Sequence, residues 1–178
     1  IRSGVLGSYV NEIRNYLFVT GDPVAREDRE FTKSVFDFNS IRFMEYINEL
    51  NQDVFLQDSF SYGGALNQNL ANTDKVIERM QKKIDAGVSW FMTQPIYSDE
   101  EVEKLARMKR ELDTKILCGI MPLVSYRNAM FIKNEMPGIH VPDEVVAKYK
   151  EGASREELLE EVNKGTVIIT AHGASDNV

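Results

Sequence analysis

The sequence contains a single cysteine, Cys118, so no disulfide can close within the chain, and a reducing, cytoplasmic setting is expected. Its two histidines, His140 and His172, together with that cysteine fall short of the ligand count of a Cys/His zinc site. Lys and Arg number 21 against 28 Asp and Glu, a formal net charge of −7. Nucleic acids and anionic membranes select clustered cations, so neither is an expected partner. No apolar run approaches the ~20 residues of a membrane span, and no signal-peptide pattern is present. Also missing are the G-x-G-x-x-G fingerprint of dinucleotide folds and a Walker A loop. No Ser/His/Asp or Cys/His pairing has a supporting context, which argues against covalent hydrolysis.

What is present is an ordinary globular composition: 178 residues, 43% hydrophobic and 28% charged, enough for one domain with a core. Short apolar runs alternate with amphipathic segments. Helical spacing of Val5, Tyr9 and Ile13 predicts a first helix over 1–14, followed by a strand at Tyr16-Leu-Phe-Val-Thr20. Asn39 or Ser40 caps a helix that buries Ile41, Met44 and Ile47. A second, more polar strand is expected over Val54 to Ser61, running into a Gly/Asn-rich loop from Tyr62 to Asn69. A strong helix follows from Asn72 to Gly87, then a strand at Trp90 to Gln94 and a helix opened by the capping-box pair Ser98 and Glu101. Lys115 to Met121 is the fourth strand, with Cys118 read as a small core hydrophobe, and Ser125 to Glu135 the next helix. Two short acidic helical stretches and a fifth strand candidate, Thr166 to Thr170, complete the pattern. Strands and helices recurring in this way imply βα units on a parallel sheet, either an open doubly wound sheet or a (β/α)8 barrel.

In such folds ligands gather at the carboxyl ends of the strands. Those ends carry Thr20-Gly21-Asp22, the stretch from Ser61 to Asn69, Thr93-Gln94, and Pro122 to Asn128. Asp22 could meet a cationic or hydrogen-bond-donating ring, although Gly-Asp-Pro is also an ordinary turn. Gln94 could offer a donor and an acceptor to a heterocycle, or simply satisfy backbone at a strand end. Arg79, Lys82 and Lys83 share a helix; they suit a diphosphate, or are in part a solvated face.

Three segments carry a resemblance. Tyr16-Leu-Phe-Val-Thr-Gly-Asp-Pro23, then Lys83-Ile-Asp-Ala-Gly87 leading to Met92-Thr-Gln-Pro-Ile-Tyr97, and Cys118-Gly-Ile-Met-Pro-Leu-Val-Ser-Tyr-Arg-Asn128 together resemble the methylenetetrahydrofolate reductase family. The likeness covers about residues 1–150 and is closest to the reductase portion of bacterial proteins fused to a homocysteine methyltransferase. It implies a (β/α)8 TIM-type barrel that holds FAD, takes electrons from NAD(P)H and reduces methylenetetrahydrofolate to methyltetrahydrofolate. Gly21 and Asp22 match the family's Gly-Asp pair, with Asp22 implied to lie near the flavin ring and the pterin, and Thr20 stands where some members carry arginine. Asn67, with Leu70 on the same loop, matches a flavin contact; Arg79, Lys82 and Lys83 match a helix facing the cofactor, Lys83 above all. Gln94 matches a folate-binding glutamine and Asn128 a second folate-contacting amide. Where relatives often have Asn-Pro, this chain has Asn67-Gln68.

The resemblance also implies a partial barrel over 1–150, without the first strands, their general-acid glutamate or the last strand, and a separate segment over 151–178. The implied partners are a folate and either a homo-oligomeric copy or a complementing barrel half. Competing expectations are a non-catalytic flavin- or pterin-binding remnant and a plain α/β scaffold.

Overall fold

A computed structural model describes residues 2–19, 30–31 and 39–149. Its element order is α1 (Arg2–Val10), β1 (Asn15–Phe18), α2 (Ser40–Asp53), β2 (Ser61–Leu66), α3 (Thr73–Asp85), β3 (Trp90–Pro95), α4 (Asp99–Glu111), β4 (Lys115–Gly119), α5 (Tyr126–Glu135) and α6 (Asp143–Lys148). The four strands form one parallel sheet in the order β1-β2-β3-β4. Spatial order follows chain order, as in the arc of a barrel. A doubly wound sheet reverses its order at a switch point, and no such reversal occurs among the described strands. The strand candidate at 166–170 lies outside the described residues.

Register explains which face is covered. Phe18, Gly64, Phe91 and Ile116 stand side by side across the four strands, and their face packs beneath the helices. Met44, Ile47 and Leu50 of α2, Val76 and Met80 of α3, and Leu105 and Met108 of α4 close over Tyr62, Leu66 and Phe91. Residues one step out of phase point the other way. Leu17, Met92 and Leu117 are 37%, 40% and 48% exposed, on the face that a closed barrel turns inward. A second, smaller core gathers Leu123, Ala129, Ile132, Val141 and Val146 beneath α5 and α6.

The helix signals read from sequence hold. Asn39, Asn72, Ser98 and Ser125 each accept a backbone N–H at the start of α2, α3, α4 and α5, and Ser98 with Glu101 completes the capping box. Three expectations fail. The first helix ends at Val10, short of Arg14, and Ile13 lies beyond it. The second strand is not Val54 to Ser61 but Ser61–Leu66, which starts where the expected strand ends and runs through the stretch read as a loop. Asn51 explains the first half of that error: its side chain donates to the Phe60 carbonyl at 2.9 Å and accepts the Phe60 N–H at 2.8 Å, occupying the groups a strand partner would use. Phe55 and Phe60 are core anchors on a turning segment. The second half lies in Gly63, whose missing Cβ leaves room for the Trp90 ring on the neighbouring strand.

Cys118 is exposed rather than a core residue. It lies opposite the irregularity where the β3–β4 pairing slips between Met92 and Pro95, and β4 is the last strand of the described sheet. Among the described residues no helix is long and apolar enough to cross a membrane.

Candidate functional site

A cleft of about 350 Å³ opens at the carboxyl end of β2, between α2 and α3. Its floor is Ala65, Leu66 and Asn67, followed by Leu70; Val76, Arg79, Met80 and Lys83 line one wall, and Asn39, Ser40 and Ile41 the other. The arrangement follows from local structure. In α3, positions 76, 79, 80 and 83 recur at helical spacing, so one stripe of the helix faces the cleft. The apolar members of that stripe enter the core, and the cations lie along its border.

Lys83 is half-buried, and its Nζ donates to the Ala65 carbonyl at 2.9 Å. Burial first, and then the like charge of Arg79, lower its pKa below the ordinary lysine value. A cation held at such a cost gains when an anion enters beside it. The wall opposite adds to this field: α2 begins at Ser40, so its amino-terminal dipole faces the same space. Sequence reading missed that contribution, although the Asn39-Ser40 cap was legible.

Asn67, Leu70, Arg79 and Lys83 are therefore brought together. Lys82 is not: it pairs with Glu78 at 2.6 Å on the exposed side of α3 and is absent from the cleft lining. Asn67 accepts the Asn69 N–H at 2.9 Å, which folds the loop back on itself. Thr20, Gly21 and Asp22 lie outside the described residues, as does His172.

Gln94 sits near the end of β3, where its main chain is gripped from two sides. Gln68, fully buried, accepts the Gln94 N–H at 3.2 Å and donates to the Gln94 carbonyl at 3.1 Å. The Thr93 hydroxyl donates to the same carbonyl at 2.7 Å and accepts the Gly119 N–H at 2.8 Å, bridging the slip between β3 and β4. Asn128 occupies the first turn of α5, and its Oδ1 accepts the Val124 N–H at 3.1 Å. Half of that amide is thus engaged in shaping the loop after β4.

One ionisable group does more than the capping role its sequence position announced. Glu101 is 2% exposed; one carboxylate oxygen accepts the Tyr97 and Ser98 N–H groups at 2.7 and 3.3 Å. The other lies 3.7 Å from His140 Nδ1 and has no hydrogen-bond partner among the described residues. Tyr97 donates its hydroxyl to Met121 at 2.7 Å, and burial pushes the phenol up to about 12, with Tyr149 and Glu101 adding. These contacts tie the ends of β3 and β4 to the second core.

The methylenetetrahydrofolate reductase family model matches residues 2–171. The chain belongs to the methylenetetrahydrofolate reductase family. A search of curated proteins gave no match. Members of this family are TIM barrels, so the sheet of β1 to β4 is read as an arc of such a barrel. The match takes in every element from α1 to α6 and extends through residue 171, beyond the 1–150 span that carried the resemblance. Family membership brings with it an oxidoreductase role in folate one-carbon chemistry.

Proposed function

We propose that the chain serves flavin-dependent reduction of 5,10-methylenetetrahydrofolate to 5-methyltetrahydrofolate with NAD(P)H as electron donor, in the cytoplasm. The observation that supports this most is the cleft that places Lys83 and Arg79 opposite the start of α2, in a chain of this family. Its donor set suits FAD. Two cations and a helix amino terminus match a diphosphate, Asn67 can hydrogen-bond ribityl hydroxyls, and Leu66, Leu70 and Val76 give an apolar lining. The volume accommodates the anionic middle of the cofactor rather than all of it. When bound, the flavin supplies hydride transfer between the nicotinamide and the folate.

The remaining roles belong to the chain's own side chains. Asp22 beside the flavin pyrimidine disfavours added negative charge there and stabilises a cationic folate by Coulomb attraction. Gly21, with no side chain, would let the ligand approach the backbone, with Thr20 next to it in sequence. Gln94 presents a donor and an acceptor to the pterin, and the amide nitrogen of Asn128 adds a donor. Lys82, neutralised by Glu78 on the exposed side of α3 and absent from the cleft lining, is given no cofactor contact in this reading.

Replacing Asp22 by asparagine is expected to leave the flavin in place, seen in its absorbance, while slowing reduction of the folate substrate by at least about a hundredfold. Stopped-flow measurement of the two half-reactions separates these effects. Folate reduction at the parental rate would remove Asp22 from the mechanism.

A further inference from the structure

We propose that Gln68 is a positioning residue that fixes the main chain of Gln94 and thereby sets the affinity of the site for the folate; this rests on the folate role proposed for Gln94. Pairing between β2 and β3 ends at Leu66 and Thr93. Beyond that point the Gln68 carboxamide takes over. Its Oε1 accepts the Gln94 N–H at 3.2 Å, and its Nε2 donates to the Gln94 and Pro95 carbonyls at 3.1 and 3.3 Å. A carboxamide offers the same donor and acceptor as a peptide group, so the side chain extends the ladder where the backbone of the loop has turned away.

The position needs such a brace. On its other edge β3 slips against β4 between Met92 and Pro95, so the ladder there leaves Gln94 without a regular partner. Gln68 is 0% exposed, so its two polar atoms are out of reach of bulk water and the bonds to Gln94 are strongly favoured. Its flanking residues anchor the loop on both sides: Asn67 lines the cleft, and Asn69 donates to the Gly138 carbonyl at 3.0 Å.

The test compares the FAD-loaded chain with Gln68→Leu, Gln68→Glu and Gln94→Ala variants, using 5-methyltetrahydrofolate as probe. Gln68→Leu is expected to raise the Kd for the probe about tenfold through misalignment of Gln94, with the FAD Kd within about twofold. In the Gln94→Ala background the same change should add nothing, since its path to the ligand is gone. Gln68→Glu regains a donor when protonated, so its affinity for the probe should recover as pH falls, a rescue that loosened packing would not show. Amide exchange at Gln94 should accelerate at least tenfold in Gln68→Leu while Phe91 stays protected.

Unchanged Gln94 exchange, additive losses with Gln94→Ala, or a parallel loss of FAD would each overturn the proposal. Failure of the unsubstituted chain to bind the probe would instead refute the folate role of Gln94, and the exchange rates would still decide whether Gln68 braces it. Should Gln68→Leu not fold, Gln68→Glu carries the comparison.

Discussion

Exchanging Lys83 for methionine is expected to weaken FAD binding by up to about a hundredfold while the protein melts no earlier than before. A hydrogen bond to a charged group contributes about 1.5–3 kcal/mol, and about 1.4 kcal/mol corresponds to a tenfold change in affinity. Stability should not follow the loss of binding. Lys83 is a partly desolvated cation near Arg79, and its carbonyl partner Ala65 is exposed, so water can replace the lost hydrogen bond. Methionine keeps the stem that packs over Gly64 and relieves the burial of charge.

The pH dependence follows from the same shift. Deprotonating Lys83 would remove the charge proposed to meet the diphosphate, so FAD affinity should fall as pH rises, beginning below the ordinary lysine value of 10.5. Lys83→Arg keeps its charge throughout and should abolish that decline. Free-protein stability moves the opposite way in this window. The native state releases the Lys83 proton before the unfolded chain does, so this group's contribution improves between its lowered value and 10.5. Titrations from pH 7 upward with both variants check the affinity sign, and denaturant melts check the stability sign. A flat profile in the parent protein would detach Lys83 from the phosphates.

Gly87→Ala should cost about 2–4 kcal/mol of stability, the sum of a strained backbone and an overpacked contact. Gly87 has φ of +94°, and a Cβ there would run into the Tyr62 hydroxyl. That hydroxyl has no freedom to yield. It donates to the Ala86 carbonyl at 2.7 Å and the Met44 carbonyl at 3.3 Å, joining α2, β2 and the end of α3, and burial pushes its pKa up to about 12. For a chain of this size the melting temperature should drop by roughly 5–15 °C. A double-mutant cycle identifies the cause. Tyr62→Phe removes the oxygen that the new methyl would strike, so Gly87→Ala should cost about 1 kcal/mol less in that background. Additive losses would mean that backbone conformation alone accounts for the glycine.

The parts of the fold legible from sequence were those with local causes. Asn72, Ser98 and Ser125 announced helix starts because a cap is decided within four residues, and the α3 stripe was visible as a 3.6-residue period. The β2 strand was not legible because Gly63 is required by Trp90, which arrives from the next strand. Cys118 was misplaced because β4 is the edge strand of the described sheet and mostly exposed, which its apolar sequence does not announce. The same reasoning separates the site residues. Lys83 and Arg79 share a helical face and could be paired from spacing, whereas the bond from Gln68 to Gln94 crosses 26 residues and leaves no local sign. Likewise Glu101 was recognised as a cap, while its approach to His140 emerged only from tertiary packing.

Recognition of the FAD phosphates is the role proposed for the cleft beside β2. Parallel calorimetric titrations of the chain with FAD and with riboflavin, which shares the ring but lacks phosphate, test it most directly. FAD should bind at least about tenfold more tightly, an advantage that shrinks as salt is raised. Equal affinity for the two flavins, or no binding of FAD, would contradict it.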